Sequence, residues 1–215
     1  MSLLYRQLSH CPFVAILRGI TPAEVAPIGA TLIDCGFTII EVPLNSPDAF
    51  DSISVLSRRF ADKIVVGAGT VLRTQEVERV AAAGGQLIVS PNSNPAVVAK
   101  AKSAGLMALP GFATPSEAFS MIDAGADGLK FFPAEAYSPS VLSAIRAVIP
   151  HNIPILPVGG IKENAIAAWG SAGASGFGLG SALYRPGDTP DQVRQRAQAF
   201  IAAWSHPPSM PQVDS

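Results

Sequence analysis

Cysteine, histidine and net charge are all scarce in this chain, and each scarcity removes a class of function. The 215 residues include two cysteines, Cys11 and Cys35, too few and too poorly spaced for a disulfide framework or a thiolate zinc site. The three histidines fall near the N-terminus (His10), in a polar loop after Pro150 (His151) and near the C-terminus (His206). Neither a histidine metal cluster nor a Ser-His-Asp triad can be assembled from them. The formal net charge is −1 with acids and bases scattered, which leaves no basic stripe for nucleic acid and no polybasic face for a membrane. No apolar run approaches the ~20 residues that span a bilayer, and Met1–His10 is polar, so a cytoplasmic protein in a reducing compartment is expected. A small-molecule partner is what remains.

What the chain has is apolar bulk: 48% hydrophobic against 14% charged residues, so most elements must be covered on more than one side. Short apolar runs closed by turn residues lie at Phe13–Leu17, Thr38–Val42, Ile64–Val66, Leu87–Val89, Leu106–Leu109, Gly128–Phe132, Ile155–Val158 and Gly176–Leu179. Alanine-rich segments with helical spacing separate them, for example Pro22–Asp34, Thr74–Ala83, Pro95–Ala104, Pro115–Ala124 and Ser138–Val148. Several open on Thr-Pro or Asn-Pro (Thr21-Pro22, Asn94-Pro95, Thr114-Pro115) and close on a small residue followed by Gly36, Gly84, Gly105 or Gly125. This pattern predicts an α/β fold, a single-domain (β/α)8 TIM barrel over residues 1–204, with a frayed proline-rich tail over 205–215. A doubly wound open sheet is the alternative, but no G-x-G-x-x-G follows the first strand.

Lys130 interrupts the apolar run Gly128-Leu129-Lys130-Phe131-Phe132-Pro133. Free lysine titrates near ~10.4, and burial lowers that value, turning the amine into a nucleophile toward carbonyls. A lysine that snorkels to solvent with its stem on Phe131 or Phe132 fits the same run. Glu41, in Thr38-Ile39-Ile40-Glu41-Val42-Pro43, is the other ionisable strand residue. An imine-forming lysine needs a neighbouring acid/base, and a buried ion pair of Glu41 with Lys130 or Arg18 would satisfy the charges without chemistry. Arg18, Asn45, Thr70, Ser90 and Ser181 are the other polar residues at predicted strand ends. Val158-Gly159-Gly160-Ile161 and Gly178-Leu179-Gly180-Ser181 close the last two strands, where barrels recurrently bind phosphate through backbone N–H groups. Each taken singly is also a plain tight turn. Gly67-Ala68-Gly69-Thr70 fits close packing, with Thr70 able to donate to a carboxylate or carbonyl. Trp169 and Trp204 read as packing residues.

Five motifs together, Ala15-Ile16-Leu17-Arg18-Gly19, Glu41-Val42-Pro43-Leu44-Asn45-Ser46-Pro47, Val66-Gly67-Ala68-Gly69-Thr70-Val71-Leu72, Leu129-Lys130-Phe131-Phe132-Pro133 and Val158-Gly159-Gly160, resemble the 2-keto-3-deoxy-6-phosphosugar-acid aldolases. The likeness runs from about Phe13 to Tyr184. It implies a metal-free and cofactor-free class I aldolase in which Lys130 forms the Schiff base and Glu41 is the general acid/base, releasing pyruvate and glyceraldehyde 3-phosphate. It further implies that Arg18 and Thr70 hold the pyruvyl carboxylate and that Pro91 and Phe132 line the pyruvyl pocket. Gly159, Gly160, Gly180 and Ser181 would bind phosphate, in a cytosolic homotrimer. Asn45 and Val158 stand where the gluconate branch of the family carries arginine and threonine. Both departures resemble the galactonate branch and point to 2-dehydro-3-deoxy-6-phosphogalactonate, with the gluconate epimer as the alternative. A phosphosugar isomerase or epimerase, or a non-catalytic phosphometabolite-binding barrel, are the readings from other classes.

Overall fold

The computed structural model describes residues 3–204, so the expected tail over 205–215 and His206 within it lie outside the described residues. Helix α1 (Leu3–His10) comes first, and then strands and helices alternate: β1 (Phe13–Ile16), α2 (Val25–Asp34), β2 (Ile39–Pro43), α3 (Ala49–Phe60), β3 (Val65–Gly69), α4 (Thr74–Ala82), β4 (Leu87–Val89), α5 (Pro95–Ser103) and β5 (Met107–Leu109). The second half runs β6 (Gly111–Phe112), α6 (Pro115–Asp123), β7 (Leu129–Phe131), α7 (Pro139–Arg146), β8 (Ile155–Pro157), α8 (Ile166–Ser171), β9 (Phe177–Leu179) and α9 (Pro190–Ala203). Cap chemistry fixes several starts. Asn94 accepts from the Ala96 N–H to open α5, and Thr114 with Glu117 forms a reciprocal capping box on α6. Thr21 is different: its N–H and hydroxyl both donate to Glu24, and α2 begins only at Val25. The glycines predicted to close helices do so, with Gly36, Gly84, Gly105 and Gly125 all at positive φ.

All strand pairs are parallel, but the closed eight-stranded barrel expected from the sequence is not what they form. They make a six-stranded sheet in the order β5-β4-β3-β2-β1-β9 and a three-stranded sheet in the order β6-β7-β8. The physical cause at one junction is Pro110. It has no N–H to give a ladder, and it follows directly on the fifth apolar run, so that β5 before it pairs with β4 while the short β6 after it pairs with β7. At the other junction β8 and β9 form no continuous ladder: the Ser175 N–H donates to the Ile155 carbonyl at 2.8 Å where the two begin, and a single bridge, Val158 to Gly178, joins them at the other end. The sequence pattern located eight of the strands, and β6, beyond Pro110, lies outside the fifth run of Leu106–Leu109.

Strand alternation creates two apolar layers. Leu129 and Phe131 point into the larger one, between sheets and helices, with Trp169 packed on Phe131 at 6.1 Å and Trp204 edge-on to Phe177 at 5.5 Å. The opposite face collects Val14, Ile39, Val65, Leu87, Met107, Leu109 and Leu156 from both sheets, and α1 adds Leu4 and Leu8. Burying each such side chain contributes about 1.5–3 kcal/mol. Ile39 and Glu41 share a face by the two-residue period, and Lys130, between Leu129 and Phe131 and in register with Leu156, shares it too. Both ionisable strand residues therefore enter the inner space rather than the helix layer. Among the described residues, no helix is long and apolar enough to cross a membrane.

Candidate active site

Parallel pairing puts the ends of all the strands on one side of the molecule, and the residues singled out in the sequence cluster there. Arg18 follows β1, Asn45 follows β2, Thr70 follows β3, Pro91 lies two residues past β4, Phe132 follows β7, Val158 to Gly160 follow β8, and Gly180 with Ser181 follow β9.

Glu41 and Lys130 are 2% and 5% exposed, the only buried glutamate and lysine among the described residues. They come from different sheets. Burial pushes the Glu41 carboxyl up to about 7, against the pull of Lys130, Arg18 and the Gly69 amide toward the ionised form. Burial likewise pushes the Lys130 amine below the ordinary lysine range; Glu41 opposes that shift and Arg18 adds to it. Both displacements favour the uncharged form. The two groups feel each other electrostatically but are not within the 4.0 Å of an ion pair, and Glu41 Oε2 has no hydrogen-bond partner. A charge-satisfying salt bridge is thus absent. Instead the Lys130 ammonium position lies 4.6 Å from the centre of the Phe132 ring. A space flanked by an amine, a carboxyl and an aromatic face suits a carbonyl compound.

The backbone around these groups packs closely against them. Gly69 abuts the Glu41 carboxyl so closely that a Cβ there would overlap both carboxyl oxygens. Thr70 next to it has φ 56, a left-handed conformation that a β-branched residue rarely adopts. Pro91 packs its carbonyl against Gly111, the β6 residue in register with Lys130. Ser90, also at this edge, spends its hydroxyl on the Val71 carbonyl at 2.7 Å and is structural.

The glycine pairs occupy the other side. The Ala134 N–H donates to the Val158 carbonyl at 2.9 Å and the Val158 N–H to the Phe131 carbonyl at 3.0 Å, tying the loop after β8 to the one after β7. Gly159 and Gly160 follow with φ 105 and 65, and a Cβ on Gly160 would run into Glu135 at 2.7 Å. Gly180 differs, since a Cβ there would meet nothing within 4 Å. Ser181 is exposed beside it, its carbonyl accepting from Arg185 Nε at 3.1 Å. The Val158–Gly178 bridge pairs the end of β9, just before these two residues, with the residue that precedes the double glycine.

Arg18 donates to Asn45 Oδ1 at 2.7 Å, and the adjacent Gly19 N–H donates to Ser46 Oγ at 2.9 Å. Ser46 was visible in the sequence only as part of a motif. A hydroxyl directly after a predicted strand-end residue is the signal that marks it. Among the described residues there is no group of three or more His, Cys, Asp or Glu able to hold a metal ion. His10 turns its Nδ1 to the Arg6 carbonyl, and both cysteines are free thiols.

Comparison with known proteins agrees with this arrangement. The chain is 49% identical over 193 residues to a probable 2-dehydro-3-deoxy-6-phosphogalactonate aldolase of Rhizobium meliloti (strain 1021), covering 90% of this chain and 91% of that one. It is 45% identical over 194 residues to 2-dehydro-3-deoxy-6-phosphogalactonate aldolase of Escherichia coli (strain K12), with 90% and 94% covered. A solved structure described as native KDPGal superposes with a TM-score of 0.88 at 44% identity, covering 90% of this chain and 94% of that chain. Residues 4–194 match the KDPG and KHG aldolase family, to which this chain belongs.

Proposed function

We propose that this chain is a Schiff-base aldolase that cleaves 2-dehydro-3-deoxy-6-phosphogalactonate to pyruvate and glyceraldehyde 3-phosphate. The observation that carries the reading is the pair Glu41 and Lys130: buried together, shifted toward neutrality and not bonded to each other. The uncharged Lys130 amine adds to the C2 keto group, and loss of water from the carbinolamine gives a protonated imine. Glu41 supplies the proton that the departing hydroxide takes away as water. As carboxylate it then accepts the proton of the C4 hydroxyl while the C3–C4 electrons flow into the imine, releasing the aldehyde and leaving an enamine. Return of that proton to C3 and hydrolysis free pyruvate and restore the amine.

In this reading Arg18 and Thr70 hold the carboxylate, Pro91 and Phe132 line the pyruvyl end, and Gly159, Gly160, Gly180 and Ser181 receive the phosphate. Val158 lies toward the aldehyde end, where the two C4 epimers differ, and Asn45 is bonded to Arg18. The names of the two relatives at 45–49% identity support the galactonate epimer. A homotrimer is proposed on the family resemblance, and light scattering measures it.

Incubation with pyruvate and borohydride, followed by peptide mapping, tests the chemistry. A reduced pyruvyl adduct on Lys130 is expected. Folded protein that forms no adduct would return the site to a phosphosugar isomerase or to a non-catalytic phosphometabolite-binding protein. Faster cleavage of the gluconate than of the galactonate epimer would overturn the substrate while leaving the aldolase.

A further inference from the structure

The loop after β2 touches the loop after β1 at two consecutive residues on each side. Asn45 Oδ1 takes the Arg18 guanidinium at 2.7 Å, and Ser46 Oγ takes the Gly19 N–H at 2.9 Å. Ser46 is itself buried and set by a turn, its N–H donating to the Pro43 carbonyl at 2.9 Å. On its far side Gly19, at φ 81, is pressed by Pro186 of the segment beyond β9, whose Cγ would lie 2.7 Å from a Cβ at that position. The residue before Arg18 is fixed as well, since the Leu17 N–H donates to the Glu41 carbonyl at 3.0 Å.

Arg18 itself is exposed, with a long side chain that would sample many rotamers if left alone. We infer that Asn45 and Ser46 are positioning residues that act through Arg18, a two-point clamp holding its guanidinium where the substrate carboxylate is met beside Lys130 and Glu41. This rests on the functional reading above, which gives Arg18 the carboxylate. The clamp has a chemical consequence for Asn45. Arginine has no acceptor, so Asn45 must turn its carbonyl oxygen toward Arg18, which leaves its two N–H donors facing away from the guanidinium. The role of Asn45 is thus to orient a neighbour rather than to grip the substrate.

A double-mutant cycle separates these roles, read as kcat and KM for pyruvate release and as the pyruvate concentration that half-saturates borohydride trapping. Asn45→Leu keeps the size but removes the acceptor. It is expected to lower kcat/KM about tenfold, mostly through KM, as loss of a hydrogen bond to a charged group does. Ser46→Ala is expected to act in the same direction, and Ser46→Thr, which retains a hydroxyl, to restore activity. In the Arg18→Ala background, Asn45→Leu should change kcat/KM by less than about twofold, because the residue it acts through is already gone. Multiplicative effects of the two substitutions, or an Asn45→Leu enzyme that matches the parent, would overturn the clamp. Absence of any Lys130 adduct in the parent protein would sink the reading of the site and the clamp with it, and that outcome is distinct from a multiplicative cycle in a protein that does form the adduct.

Discussion

The six-stranded and three-stranded sheets contribute to the site in different ways. The larger sheet carries Arg18, Glu41, Gly69 and Thr70 on neighbouring strands whose ladders are continuous, so their spacing is set by backbone hydrogen bonds. The smaller carries Lys130 on a strand bracketed by proline-containing segments, with Pro110 on one side and Pro154 and Pro157 on the other. Carboxyl and amine are therefore held on separate sheets, which are joined through Pro110 on one side and through the Ser175–Ile155 hydrogen bond and the Val158–Gly178 bridge on the other. A charged pair within one ladder could close into a salt bridge. Here the two are buried without forming an ion pair, and burial is what moves each toward its neutral form.

The largest effect should follow from breaking the smaller unit's contribution. Lys130→Arg keeps the positive charge but cannot form an imine, so turnover is expected to fall by at least about 1,000-fold with unchanged circular dichroism. Substantial residual activity would assign Lys130 an electrostatic role. Glu41→Gln should come next, with a loss of about 100- to 1,000-fold, the usual range for a general acid/base. Because Lys130 survives in that variant, the pyruvate adduct should still form, more slowly. Stopped-flow trapping resolves the two.

Gly69 and Gly180 sharpen the contrast between packed and open parts of the site. A methyl at Gly69 overlaps the Glu41 carboxyl, whereas one at Gly180 meets nothing within 4 Å. Gly69→Ala is expected to cost about 1–3 kcal/mol of stability, the range for overpacking, and to lower kcat about tenfold by displacing Glu41. Gly180→Ala should leave the melting temperature unchanged and raise KM a few-fold by crowding the proposed phosphate position. Equal melting temperatures for the two variants would show that the Gly69 contact is relaxed in solution.

This contrast also explains what the sequence could and could not reveal. Strand positions were legible because apolar runs and turn residues alternate so regularly, and Lys130 and Glu41 were legible because charge is rare in such runs. Sheet closure was not, since one proline decides it through a missing N–H, an effect local periodicity does not register. Helix α1 shows a similar blind spot: its polar sequence hides Leu4 and Leu8, whose partners come from strands throughout the chain. At the site, the Asn45–Arg18 and Ser46–Gly19 contacts each span 27 positions, and only the β1–β2 pairing brings them together.

The remaining effect is on the pH dependence of stability, and its sign distinguishes the two sheets. With its carboxyl raised from 4.5 to about 7, Glu41 in the folded protein retains a proton that the unfolded chain has released throughout that interval. Folding then takes up a proton, so the contribution of Glu41 falls as pH rises from about 4.5 to 7, by up to about 3 kcal/mol above that window. Lys130 works oppositely: its lowered value means the folded state has shed a proton the unfolded chain still holds, and stability rises with pH through the window below 10.5. Thermal melts of Glu41→Gln and the parent should coincide near pH 4, where the carboxyl is protonated folded or unfolded. By pH 8 the variant should be the more stable, because the parent must then bury a carboxylate or hold a proton against the solvent. A parent that instead gains stability over the variant between pH 4 and 8 would show that Glu41 is held ionised in the folded protein, and would give the larger sheet a salt bridge in place of a poised acid.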